Sequence, residues 1–191
     1  MVRGRRQDRR EERREERREE RATFGRRGTA TRYRVRQRML AIGDDFWIED
    51  ESGQRAFKVD GKVLRIRKTL VLQDAQGNDL CRIQERMLRV RDTMQIESPT
   101  GEVMATVRKA LITPIRDRWT VKIGNAPDLE VRGNVLHHEY TIGEEGRRVA
   151  EVSKKWFRVR DTYGVAIEPS QNDVLILAVT IVIDMMAHGG R

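Results

Sequence analysis

Val174-Leu175-Ile176-Leu177-Ala178-Val179-Thr180-Ile181-Val182-Ile183-Asp184-Met185-Met186-Ala187 is the stretch on which the architecture turns. Three readings compete for it. As a membrane span it is short: fourteen residues at about 1.5 Å each reach about 21 Å, against a hydrocarbon core of about 30 Å. Asp184 would also lie inside the bilayer, at a cost of a few kcal/mol. As a strand it has the β-branched residues, notably Ile181-Val182-Ile183, but it is long and does not alternate. As a helix it has a start at Ser170-Gln171-Asn172-Asp173, with capping-box spacing from Ser170 to Asp173, and a stop at Gly189-Gly190. A helix that is apolar all round must be buried on every side. The expectation is therefore a helix over about 171–187, enclosed by the rest of the chain. Asp184 then needs a partner, either an inward arginine or backbone donors at the rim of the enclosure.

The rest of the chain is written in strands. From Tyr33 the period is two: Tyr33 and Val35 alternate with Arg34 and Arg36, Leu64 and Ile66 with Arg65 and Arg67, Leu88 and Val90 with Arg89 and Arg91, and Trp119, Val121 and Ile123 with Thr120 and Lys122. Such alternation puts one face in a core and the other in water. Turn clusters separate the runs, among them Glu51-Ser52-Gly53-Gln54, Asp60-Gly61, Asp74 to Asn78, Ser98-Pro99-Thr100-Gly101, Asn125-Ala126-Pro127-Asp128, Gly133-Asn134 and Gly143-Glu144-Glu145-Gly146. No helical unit stands between the strands, so an antiparallel meander is expected and βαβ topology is not. The fold class is mainly β. A barrel lumen is the natural enclosure for the apolar helix.

An internal repeat supports the meander. Residues 83–94, Ile-Gln-Glu-Arg-Met-Leu-Arg-Val-Arg-Asp-Thr-Met, align without gaps on residues 152–163, Val-Ser-Lys-Lys-Trp-Phe-Arg-Val-Arg-Asp-Thr-Tyr. Arg65-Ile66-Arg67-Lys68-Thr69 is a weaker echo. The unit reads as a strand, an Asp-Thr corner and the next strand, because both side chains bond nearby backbone groups. Asp92, Thr93, Asp161 and Thr162, with Trp156 and Asp184, are accordingly read as structural.

The net charge of +9 is uneven. Residues 1–34 hold 14 Arg and 7 Asp/Glu, a net of +7, and the remainder holds 25 Lys/Arg and 23 Asp/Glu, a net of +2. From Arg9 to Arg21 the sequence repeats Arg-Arg-Glu-Glu with period four, which sets like charges at every i,i+4 position and offers no apolar stripe for docking. Residues 1–32 are thus expected to be a charged tail, disordered or partly helical, with a linker from Ala22 to Thr31, and residues 33–188 to be the barrel domain. The tail reads as a solubilising extension or as an arm that finds phosphate on lipid or nucleic acid. The nearly balanced body argues against nucleic-acid binding by the domain itself. No apolar h-region marks a secretory signal, and the single Cys81 suits packing in a reducing compartment.

Together these features resemble the LURP-one-related family, with its tubby C-terminal-like fold. The resemblance rests on Tyr33-Arg34-Val35-Arg36-Gln37-Arg38, on Phe46-Trp47-Ile48 before an acidic hairpin, on Lys155-Trp156-Phe157-Arg158-Val159-Arg160-Asp161-Thr162-Tyr163-Gly164-Val165, and on the apolar segment 173–186. It covers residues 33–187. It implies a closed antiparallel barrel of about twelve strands threaded by the C-terminal helix. Relatives by fold include tubby proteins, which bind phosphoinositide heads, and membrane-associated phospholipid scramblases. No lipid-contacting position carries over residue by residue.

Catalytic and metal chemistry find little support. His137 and His138 are adjacent, so in a strand they would face opposite ways and not share a metal; His188 is the third histidine. Gly-x-Ser-x-Gly, His-Glu-x-x-His and phosphate-cradling glycine motifs are absent, so neither an enzyme, a cofactor nor a metal is expected. Acidic pairs such as Asp44-Asp45 and Glu144-Glu145 read as loop charges, without calcium-loop spacing. The remaining candidate is a basic exterior: with Leu88, Val90, Phe157 and Val159 inward, Arg89, Arg91, Arg158 and Arg160 point outward, with Lys154, Lys155, Arg65 and Arg67 extending the row. The expected function is a non-enzymatic, cytoplasmic or membrane-peripheral module for anionic phospholipid headgroups, with a protein-interaction scaffold or nucleic-acid contact through the tail as alternatives.

Overall fold

The computed structural model describes residues 29–36, 45–61, 63–64, 67–86, 93–109, 117–157 and 162–188. These form strands β1 (Thr31–Arg36), β2 (Phe46–Asp50), β3 (Arg55–Asp60), β4 (Val63–Leu64), β5 (Arg67–Asp74), β6 (Asp79–Arg86), β7 (Thr93–Glu97), β8 (Val103–Lys109), β9 (Asp117–Ile123), β10 (Ala126–Asn134), β11 (Glu139–Glu144), β12 (Arg147–Ser153) and β13 (Thr162–Ile167), followed by helix α1 (Asp173–His188). Apart from β4, each strand pairs antiparallel with its neighbours in sequence, β3 pairs β5, and β1 pairs β13. The result is a closed barrel of twelve strands; the two-residue β4 pairs only with β5, outside the ring. Closure removes the unpaired edges that an open sheet would expose.

Alternation places the apolar residues as the pattern requires. Tyr33 and Val35, Phe46 and Ile48, Cys81 and Ile83, Trp119 and Val121, and Val165 and Ile167 are all buried. Burial pushes the Cys81 thiol up to about 12, which suits packing and not reactivity. Only the ends of the repeat fall among the described residues. The first copy begins in β6 and the second in β12, and Thr93 and Thr162 open β7 and β13 as buried residues. The corner residues Asp92 and Asp161 lie outside the described residues, as do the tail and the linker up to Gly28.

Helix α1 fills the lumen. Every residue from Leu175 to Asp184 is buried, and 16 residues at about 1.5 Å give a rod of about 24 Å. No described helix is long and apolar enough to cross a membrane. The β-branched residues of α1 each lose up to about 0.7 kcal/mol of helix propensity. Burial of each such side chain contributes about 1.5–3 kcal/mol, which decides the contest. Thr180 returns its hydroxyl to the Ile176 carbonyl at 2.9 Å, so its polar atom is satisfied in place. The helix begins two residues later than the capping-box spacing suggested. Asn172, not Ser170, is the cap: its Oδ1 accepts from the Leu175 N–H at 3.0 Å. Ser170 instead takes a left-handed conformation, φ 68°, in the turn that reverses the chain from β13 into α1. Tyr33 of β1 donates to the Asp173 carboxylate at 2.6 Å and ties the start of the helix to the wall.

The two ends of the barrel differ. At the end where α1 begins, short turns join the strands, such as Glu145-Gly146, whose φ values of 47° and 87° suit a two-residue hairpin. At the end where α1 finishes, most stretches of sequence between the strands of the ring are longer: residues 37–45, 61–66 (with β4 among them), 87–92, 110–116 and 154–161, largely outside the described residues, while 135–138 is four residues long. Replacing Leu177, fully buried on α1, by Ala is expected to lower stability by about 2–5 kcal/mol. Equilibrium urea denaturation checks this, and a loss under about 1 kcal/mol would mean the helix is not enclosed.

Candidate functional site

The most concentrated polar chemistry among the described residues lies where α1 finishes. Asp184 and His188 stand four residues apart on the helix, which puts them on one face. The third member, His138, comes from the connection between β10 and β11. Residues Val135–His137 form a single 3-10 turn, capped by the Asn134 side chain accepting from the His137 N–H, and His138 follows with φ 52° and ψ 45°. A left-handed non-glycine residue costs roughly 1–2 kcal/mol, so the surrounding contacts must hold it. Gly133 makes the approach feasible: its φ is +135°, and a Cβ there would meet the Glu139 carbonyl oxygen at 2.5 Å.

His138 and Asp184 are both buried, and His138 Nε2 lies 2.7 Å from Asp184 Oδ1. His188 Nδ1 reaches the same oxygen at 2.9 Å and the Asp184 carbonyl at 3.1 Å, while its Nε2 lies 3.4 Å from the Leu136 carbonyl. The Tyr163 hydroxyl donates to Asp184 Oδ2 at 3.5 Å. The His138 ring stacks on Tyr163 at 4.4 Å and lies parallel to His188 at 5.2 Å. His138 Nδ1 is buried without a hydrogen-bond partner among the described residues, and the Tyr140 hydroxyl is buried beside Thr180. One carboxylate is thus held between two imidazoles, with two phenols alongside.

The electrostatics follow. Burial alone would raise the Asp184 carboxyl, but the hydrogen bonds from His138 and His188 outweigh it and hold the group below its ordinary value. His188 moves up, chiefly through its hydrogen bond to Asp184, with burial opposing. Burial, reinforced by the negative Asp184, drives Tyr140 and Tyr163 well above the usual phenol range, so both stay protonated.

Several expectations change here. Asp184 is met by two histidines and a tyrosine, not by an arginine or backbone donors. His137 and His138 do not lie in a strand: the turn exposes His137 and buries His138, which then shares its carboxylate with a histidine fifty residues away. Sequence spacing alone could not have joined them, although Asp184-x-x-x-His188 at helical spacing was a visible half of the site.

The basic candidates are only partly described. Lys154 and Lys155 follow the end of β12 and are not on a strand face; the Glu139 carboxylate gathers both of their backbone N–H groups and the Ser153 hydroxyl at 3.0–3.1 Å. Lys154 is half-buried, and Lys155 is exposed with its Nζ 3.2 Å from Glu139. Trp156 is half-buried in the turn after β12. Arg67 opens β5, and Arg65, Arg89, Arg91, Arg158 and Arg160 lie outside the described residues.

A twelve-stranded antiparallel barrel threaded by an apolar C-terminal helix defines the class of this protein. The chain belongs to the LURP-one-related family, which it matches over residues 31–184. It is also similar to the crystal structure of a protein from Arabidopsis thaliana, with a TM-score of 0.62 at 21% identity, covering 82% of this chain and 91% of that one. At that identity the likeness speaks for the fold alone. No curated protein matches the chain.

The shifts of Asp184 and His188 set a pH dependence. Asp184, depressed, contributes stability that is present above about pH 3.8 and lost as pH falls through its folded value. His188, raised, contributes stability that is full below about pH 6.5 and lost as pH rises through its folded value. With chelator present, their joint contribution should therefore be largest between these limits. Denaturant melts across about pH 3–9 should show His188→Gln flattening the alkaline side of the profile, and an unchanged profile would remove His188 from the network.

Proposed function

We infer that this protein is a non-catalytic binding module whose end with the long connections faces anionic phospholipid headgroups, at the cytoplasmic surface of a membrane. The observation that carries the reading is a division of charge along the barrel. The six stretches of sequence between ring strands at that end contain ten Lys/Arg against four Asp. The short turns and the link into α1, residues 51–54, 75–78, 98–102, 124–125, 145–146 and 168–172, contain four Glu and no Lys or Arg. The reading takes Arg65, Arg89, Arg91, Lys154, Lys155, Arg158 and Arg160 to gather toward one end; what supports it is that the described strands before and after them in sequence begin or finish there.

Basic residues near an anionic leaflet contribute about 1 kcal/mol each. The exposed Leu136 lies in one of the same connections, where an apolar side chain suits the interfacial layer. The resemblance to tubby-like proteins that bind phosphoinositide heads points the same way, and the arginine-rich tail adds further positive charge.

Liposome flotation tests this. The full chain should float with vesicles containing phosphatidylserine or phosphoinositide and not with phosphatidylcholine alone. Raising salt from about 0.01 to about 1 M, which shortens the screening length from about 30 to about 3 Å, should release it. Reversing Arg89, Arg91, Arg158 and Arg160 to Glu together should weaken the association roughly a hundredfold or more, while removing residues 1–30 should weaken it less. Equal flotation on neutral and anionic vesicles would refute the reading.

A further inference from the structure

We propose that His138, Asp184 and His188 form a binding site for one divalent transition-metal ion of the zinc class, set inside the barrel at the finishing end of α1. The donor atoms all lie within 4.8 Å of one another. Two imidazoles and one carboxylate suit zinc, cobalt(II) or nickel, and argue against magnesium and calcium, which take oxygen ligands.

For His188 and Asp184, though not for the unpartnered His138 Nδ1, the surroundings resemble the support that metal ligands receive. Ligating histidines usually place their second nitrogen on a carbonyl, and ligating carboxylates are themselves hydrogen-bonded. Here His188 has Nδ1 toward the cluster and Nε2 toward the Leu136 carbonyl, and Tyr163 holds the second oxygen of Asp184. The Asp184-x-x-x-His188 pair is rigid because it sits on one helix, and His138 is delivered to it through a strained left-handed backbone. Backbone strain of this kind collects at ligand clamps. The last turn of α1 also presents the negative end of the helix dipole, which favours a cation.

The distances decide whether an ion fits. Zinc bonds of about 2.0–2.2 Å in tetrahedral geometry separate adjacent ligand atoms by about 3.3 Å. The two nitrogens stand 2.7 and 2.9 Å from Asp184 Oδ1, so each ring must retreat by about 0.5 Å. His188 can move, since about a third of its side chain (34%) is exposed. On binding, Asp184 stays a carboxylate, and the ring nitrogens that bond the ion, His188 Nδ1 and His138 Nε2, carry no proton, any displaced proton passing to solvent. Three protein ligands leave a fourth position, reached from the exposed side of His188, for water or an external donor.

The test uses the full chain, stripped with chelator and then titrated with cobalt(II) as a spectroscopic stand-in. One equivalent should produce the visible d–d bands of a four-coordinate site, and zinc should displace them and raise Tm. His188→Gln should abolish the bands while keeping its circular dichroism spectrum. His137→Gln, at the exposed neighbour outside the cluster, should leave them intact. Tyr163→Phe should weaken cobalt binding about tenfold, as loss of an outer partner does. His188→Cys supplies a different donor at the same place and should restore binding, with a new thiolate-to-cobalt band in the near ultraviolet. Absence of d–d bands and of any zinc-induced Tm rise in the folded wild-type chain overturns the proposal. Bands of equal strength in wild type and His188→Gln overturn it as well.

Discussion

The structure depends on a backbone constraint imposed by enclosure. A closed barrel has no free strand edge, so any segment inside it finds no N–H or C=O on the wall to pair with. Only a helix satisfies its own backbone there. Residues 173–188 therefore coil although Val, Ile and Thr make up much of the segment. Local propensity loses to tertiary burial, and the margin is large because ten consecutive residues, from Leu175 to Asp184, are removed from water.

The same enclosure makes Asp184 consequential. A carboxylate in an apolar lumen must be neutralised or paired. The chain supplies partners from three places: one turn further along the helix, the connection after β10, and the start of β13. Tyr33 and Asp173 play the corresponding part at the opposite end, so the helix is held by polar contacts at both of its ends and by packing between. The residues that fix the helix at its finishing end are also those that present a donor set to a cation. The end at which they gather is also the one proposed to face the headgroups.

Much of this was legible in the sequence. Alternation of period two in β1 and β9 and the turn clusters announced antiparallel strands, and the buried faces of Tyr33, Val35, Trp119 and Val121 agree. Other positions were misread for identifiable reasons. Asn125-Ala126-Pro127-Asp128 looked like a turn, yet Ala126 already opens β10, where an irregular register absorbs Pro127 and Asp128. Ser170 had the spacing of a capping box, but the chain reverses there and Asn172 is better placed to meet the first free N–H groups. Lys154 and Lys155 continue an apparent strand, but Glu139 on the neighbouring strand captures their backbone and ends it.

Sequence by itself determined the alternating faces, the repeat, the all-round apolar helix and hence the need for an enclosure, because these follow from side-chain periodicity and the free energy of apolar burial. Tertiary structure alone brought His138 and Tyr163 to Asp184, whose i,i+4 neighbour His188 the sequence already placed beside it. His138 and His188 are fifty residues apart, and nothing in their spacing marks them as neighbours. They meet because the ring of strands brings the connection after β10 over the end of a helix that it must enclose.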